Sequence, residues 1–278
     1  MSVILGLIAA LAWGIHDLCV RKVSEGTGIF ASLVTVLVFG SILVAPASFA
    51  AWNESVSNDV LYTTILAGLL FGLAAIAHYK AFSIGPVRLV APIIGAYPAL
   101  SVAWAVWQGT PVSLFQWMAV FLIIAGVGYV AGSSDDSEQQ TNPMEAIFWS
   151  VLAGTGFAIT FAVGQAAAAQ GDEIALLFPT RVAALITVVG IALLLRVKIW
   201  PGRGQLTILG AMGGLDAVAL SAVLSSGSFS HPELASVLAA TFGLITVLLA
   251  TIFLKEKMYP AQWGAVCAVF ASICYLAI

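Results

Sequence analysis

Long apolar runs separated by short polar breaks govern this sequence from one end to the other. A bilayer core of about 30 Å takes roughly 20 apolar residues as a helix. By that rule the chain divides into ten spans, near residues 2–22, 29–50, 60–83, 86–107, 112–132, 144–168, 174–195, 205–225, 232–254 and 260–277. The breaks carry turn-forming and charged residues: Ser24-Glu25-Gly26, Asn53 to Asp59, Gly85-Pro86, Gly109-Thr110-Pro111, Gly171-Asp172-Glu173, Pro201 to Gly204 and His231-Pro232. One longer polar stretch, Ser133 to Pro143, lies near the midpoint and serves as a linker. The first run is too long for the core of a signal peptide and has no convincing cleavage site, so it reads as a span.

The two halves resemble each other. A single gap-free shift of 146 residues places Pro86 on Pro232, Gln116-Trp117 on Gln262-Trp263, Tyr129 on Tyr275 and Gly68-Leu69 on Gly214-Leu215. Five spans per half is an odd number, so the second copy enters the membrane from the opposite side. The expected architecture is all-α: a polytopic membrane protein of ten transmembrane helices in two inverted five-helix repeats. Residues 1–132 form the first repeat, 133–143 the linker and 144–278 the second. Transporters built this way hold substrate near the midplane, where the repeats meet.

Composition agrees. Of 278 residues 61% are hydrophobic and only 8% charged, against about a quarter charged in soluble domains. The net charge of −3 shows no basic surplus, so nucleic acid is not an expected partner. Cys19, Cys267 and Cys274 lie in apolar stretches without disulfide or metal spacing. Nine of the ten basic residues (Arg21, Lys22, Lys80, Arg88, Arg196, Lys198, Arg203, Lys255 and Lys257) fall on one side, that of loops 1–2, 3–4, 5–6, 7–8 and 9–10. The positive-inside rule makes that side cytoplasmic, with both termini facing away from it. The expected location is the inner membrane of the cell, as a multi-pass protein.

The stretch from His231 onward is the most specific. It has a Pro-led helix, then Phe253-Leu254-Lys255-Glu256-Lys257, then Pro260-Ala261-Gln262-Trp263-Gly264 opening the last span. This resembles the EamA branch of the drug/metabolite transporter superfamily, with its small-residue helix, Leu-Gly-Glu-Arg turn and following Gln-x-x-Gly. The first half keeps Pro86, Pro98 and Gln116 but has Thr110 where the second has Glu256. Within the branch, Leu11-Ala12-Trp13-Gly14-Ile15-His16-Asp17 and His78-Tyr79-Lys80-Ala81 look most like YddG-type aromatic amino-acid exporters. The resemblance covers essentially the whole chain. It implies ten helices around a central cavity and export of amino acids or related metabolites.

No phosphate-binding loop, zinc-protease motif or nucleophile elbow occurs, so an enzyme is not expected, nor a cofactor or resident metal. Polar residues at membrane depth carry the functional argument, because a charge at the bilayer centre costs roughly 2.5–3.5 kcal/mol on insertion scales. Asp216, midway along the eighth span, reads either as a contact for a substrate amino group or coupling proton, or as a structural acid paired with Arg181. Arg181 follows Pro179 and reads either as a clamp for a substrate carboxylate or as that internal partner. Asp17 lies one turn from Trp13 and shares its face, so it reads either as an acid of the cavity wall that meets a charged end of the substrate or, with His16, as part of an interface beside Arg21 and Lys22. Trp13 is the tryptophan placed most clearly inside; most others sit near span ends as an aromatic belt. His78 and Tyr79 read as a titrating pair or an interfacial one. Tyr97, beside Gly95 and Pro98, and Phe242, beside Thr241 and Gly243, occupy near-equivalent positions in the two halves and suit a cavity wall. Gly68-x3-Gly72, Gly128-x3-Gly132 and Gly210-x3-Gly214 read as packing seams, and Glu256 as part of a solvated turn.

Together these residues predict a secondary transporter exporting amino acids or similar metabolites, with a small molecule and the lipid bilayer as partners and a proton as the candidate coupling ion. Efflux of cationic compounds and an intramembrane enzyme are the rival readings.

Overall fold

The computed structural model describes the chain except residues 25, 53–55, 101–110, 112, 134–141 and 277–278, and the side chains of 127, 131, 132 and 233. Most of the linker, Trp104, Trp107, Thr110 and the Asn53-Glu54-Ser55 break therefore lie outside the described residues. The described residues are helical, with no strand among them. The helices are α1 (Ser2–Ser24), α2 (Ile29–Ala50), α3 (Asn58–Ile84), α4 (Val87–Gly95), α5 (Leu114–Gly132), α6 (Pro143–Ala168), α7 (Leu177–Leu194), α8 (Leu206–Ser225), α9 (Pro232–Ala239), α10 (Phe242–Leu249) and α11 (Pro260–Leu276). Seven described helical segments are long and apolar enough to cross a membrane, and three shorter ones are predominantly apolar. Large side chains such as Leu7, Leu11, Phe121 and Phe148 point outward, as they should where lipid is the solvent.

Local chemistry sets the ends. Ser57 Oγ accepts from Val60 N–H at 3.3 Å and starts α3, and Asn142 Oδ1 accepts from Glu145 N–H at 3.3 Å at the start of α6. Pro179 leaves its helix intact. α7 begins at Leu177, so the proline falls in the first turn, where a missing N–H leaves no bond unmade. The expected fourth and ninth spans are each interrupted. α4 stops at Gly95, turns through Ala96 and Tyr97, and resumes helical geometry at Pro98, which has no N–H to continue the ladder. α9 stops at Ala239, and Thr241 Oγ1 donates to Leu238 O at 2.6 Å before α10 begins. A π-turn at Ala250–Leu254 then closes that span at Lys255, whose φ is 56°.

Packing runs chiefly between the halves. α1 lies against α8, α9 and α10; α2 against α7 and α8; α3 against α6 and α7; α4 against α6 and α10; and α5 against α11. Taking α9 and α10 as one span, this pairing is unchanged when each span is exchanged for its counterpart five places along. The α4–α10 crossing shows it at atomic scale: a Cβ on Gly95 would stand 2.8 Å from Ala240 O, and one on Gly243 2.7 Å from Ala91 O.

The glycine seams differ in part from the spacing in the sequence. Gly68 and Gly72 do admit α7, since a Cβ would stand 2.3 Å from Thr180 O and 2.8 Å from Ala184 O. Nothing lies within 4 Å of a Cβ on Gly128 or Gly214. The close approaches belong instead to Gly126, 2.6 Å from a Val269 methyl, and Gly213, 2.6 Å from Val36 O. Neighbouring glycines thus give a sharp contrast. Gly213→Ala is expected to destabilise by about 1–3 kcal/mol through overpacking. Gly214→Ala is expected to be neutral, or to stabilise by up to ~1 kcal/mol through helix propensity. Thermal unfolding of the two purified variants in detergent checks this, and equal midpoints contradict it.

Glu256 is no solvated turn. Its two carboxylate oxygens accept from the N–H groups of Val87 at 3.0 Å and Arg88 at 3.2 Å. It caps the start of α4, where orphan donors and the helix dipole favour an anion. A residue of one half thereby fixes a helix of the other.

Candidate functional site

Between the halves lies a narrow cavity of about 30 Å³. Its walls are aromatic. Trp13 from α1 stacks on Phe161 of α6 at 5.5 Å between centroids and meets Phe242 of α10 edge-on at 6.4 Å. Phe157 lies parallel to Phe161 at 5.9 Å, and Tyr97 meets Phe161 edge-on at 5.6 Å. Gly14 makes this possible by letting α1 close onto α10; a Cβ there would stand 2.6 Å from Ile245. The Tyr97 hydroxyl is tied to the carbonyl of Ser236, so the interrupted α4 is pinned to α9 beside the cavity.

Two polar clusters interrupt the aromatic wall. In the first, Asp216 Oδ1 accepts from Trp13 Nε1 at 3.0 Å and Oδ2 accepts from Arg181 Nη1 at 3.0 Å. Arg181 is only 1% exposed, and Gly40 opposite it is a necessity, since a Cβ there would stand 2.5 Å from Nη1. The other guanidinium nitrogen, Nη2, is buried without a hydrogen-bond partner. In the second cluster, Asp17 Oδ1 lies 3.0 Å from His16 Nδ1 and 3.0 Å from His78 Nε2, while His16 Nε2 lies 3.1 Å from the Tyr79 hydroxyl. Asp17 Oδ2 and His78 Nδ1 are buried without partners.

The fold brings Trp13, Asp17, His78, Tyr79, Tyr97, Asp216 and Phe242 into the lining of one cavity. Arg181 is not part of the lining and reaches the site through Asp216. His16 and Asp17 of α1 are buried against α3, and His78 and Tyr79 of α3 are buried beside them. Sequence reasoning passed over Phe71, Phe157, Phe161 and the His16 contact with Tyr79. The Phe157–Phe161 spacing of four residues puts both rings on one helix face, a signal that was available but common in so apolar a chain. For Phe71 no local signal distinguishes cavity from core.

The model of the EamA-like transporter family matches residues 1–132 and 144–278. A solved structure described only as "Crystal structure of protein" superposes with a TM-score of 0.66 at 16% identity, over 99% of this chain and 96% of that one. At that identity the likeness concerns the fold. No curated protein matches the sequence.

Proposed function

Since the chain belongs to the EamA-like transporter family, we propose that it exports neutral amino acids, aromatic ones among them, and related small metabolites by alternating access through the cavity between its halves. The observation that carries this reading is the Asp216–Arg181 pair, at 3.0 Å, set beside a cavity walled by aromatic rings. A zwitterion presents the same two charges as that pair. Its ammonium can replace Arg181 on Asp216 while its carboxylate takes the guanidinium, so each buried charge keeps a partner throughout. Buried charges left without one are costly, and this exchange avoids that cost. Trp13, Tyr97 and Phe242 would then enclose the side chain. The likeness of the α1 and α3 motifs to YddG-type exporters supports the same substrate class. The basic residues of loops 1–2, 3–4, 5–6, 7–8 and 9–10 support a cytoplasmic side for those loops, and an inner-membrane location is part of the same proposal.

Aromatic walls also suit an organic cation, which keeps cation efflux as a second reading. At Asp216 the neighbouring Arg181 argues against it, because that acid is already neutralised. Efflux from proteoliposomes separates the two. Vesicles loaded with labelled phenylalanine or leucine should empty faster than protein-free vesicles, and unlabelled amino acid should compete. Release of a permanent organic cation alone, with no amino acid moved, contradicts the proposal.

A further inference from the structure

The second polar cluster has no part in holding a zwitterion, and hydrogen-bond accounting gives it another task. With Asp17 ionised, its contacts fix both histidine tautomers: His16 donates from Nδ1 and accepts from the Tyr79 hydroxyl at Nε2, and His78 donates from Nε2. Two acceptors then remain bare, Asp17 Oδ2 and His78 Nδ1, both buried and unpartnered. An unsatisfied buried polar atom is costly, so such a pair marks a place for something that binds. Neither atom is reachable by solvent in this state, which disfavours an ammonium group and suits a proton. The charges tell the same story. Asp216 and Arg181 cancel, so Asp17 leaves the cavity with one uncompensated negative charge. The ionisable groups near it are His16 and Cys19 on α1, His78 and Tyr79 on α3, and Asp216 with Arg181 from α8 and α7; α2, α6 and α10 supply apolar and aromatic side chains.

Resting on the transport reading above, we propose that Asp17, with His16 and His78, is the proton site of an exchanger, carrying one proton across on the substrate-free leg of the cycle and releasing it before substrate is loaded for the return. The proton enters at Asp17 Oδ2 or His78 Nδ1 and leaves to water when the cavity opens on the other side; no covalent bond other than O–H or N–H forms or breaks. α1 links the two events, because Trp13, one turn from Asp17, donates to Asp216. Neutralising Asp17 weakens its hold on α3 and frees α1 to carry Trp13 away from the substrate acid.

Proteoliposomes with the membrane potential clamped at zero test this. For one proton per substrate, a pH difference of about one unit sustains about a tenfold amino-acid gradient, with the acidic side filled. Wild-type protein should reach that gradient. Asp17→Asn should accumulate nothing, yet keep counterflow of labelled against unlabelled substrate within about twofold. His78→Gln, which removes one of the two bare acceptors, should shift the pH at which accumulation is half-maximal. Asp17→Asn accumulation equal to wild type overturns the assignment, as does an unchanged pH profile for His78→Gln. The same three side chains could also hold a metal ion, their ligand atoms lying within 4.8 Å of one another; loss of accumulation on chelation would overturn a proton site in its favour. Absence of counterflow in the wild type is a different result and overturns the transport reading itself.

Discussion

Arg181→Ala is expected to lower stability by about 3–5 kcal/mol, because it leaves the Asp216 carboxylate buried without its counter-charge. Asp216→Ala should cost a similar amount, since Arg181 is 1% exposed and its Nη2 already lacks a partner. The double variant Arg181→Met/Asp216→Leu replaces both charges with apolar groups and should recover most of the loss, as paired removals of buried ions generally do. Transport should be absent in all three. Apparent melting in detergent together with proteoliposome flux separates the stability effect from the functional one. A double variant no more stable than either single one means the ion pair is not what the charges are for. A stable double variant that still transports removes the pair from the substrate site. A single substitution at Asp216 perturbs folding and function at once.

Trp13 gives the second large effect. Its ring forms the platform between Phe161 and Phe242, and its indole N–H binds Asp216 Oδ1. Trp13→Phe keeps a ring but loses a hydrogen bond to a charged group, worth about 1.5–3 kcal/mol. Apparent affinity should fall about tenfold or more. Trp13→Ala also loses the aromatic contacts, worth about 0.5–1.5 kcal/mol each beyond their area, and should fall about a hundredfold. The concentration dependence of initial flux checks both. Equal affinities for Phe and Ala would mean the ring surface contributes nothing to binding.

The helices were readable because the length of an apolar run is a property of the sequence in one dimension. The interruptions at Ala96–Tyr97 and Ala240–Thr241 were signalled locally, by Gly95 and Pro98 in one case and Thr241 and Gly243 in the other. Tyr97 and Phe242 stood out for that reason, and the cavity includes both. What could not be read was partnership. Asp17 meets His78 across 61 residues and Trp13 meets Asp216 across 203, and no spacing rule reports such contacts. The same limit misplaced Glu256, whose surroundings in sequence are charged and turn-like while its partners are backbone groups of the other half. It also misplaced two glycine seams: the spacing of Gly210 and Gly214 fits a seam, but the rotation of α8 presents Gly213 to α2. Arg181 lay between these extremes, since a buried charge requires a partner but does not say which.

The central claim is that the cavity addresses both ends of an amino acid at once. Equilibrium binding of phenylalanine to the purified protein, set beside phenethylamine and hydrocinnamate, tests it most directly. Each analogue keeps the ring and one charge, and each leaves Asp216 or Arg181 without its exchange partner. Both should bind about 10- to 100-fold more weakly than phenylalanine, in line with about 1.5–3 kcal/mol for a lost charged contact. Phenethylamine binding as tightly as phenylalanine would contradict the account and make the cavity a site for organic cations.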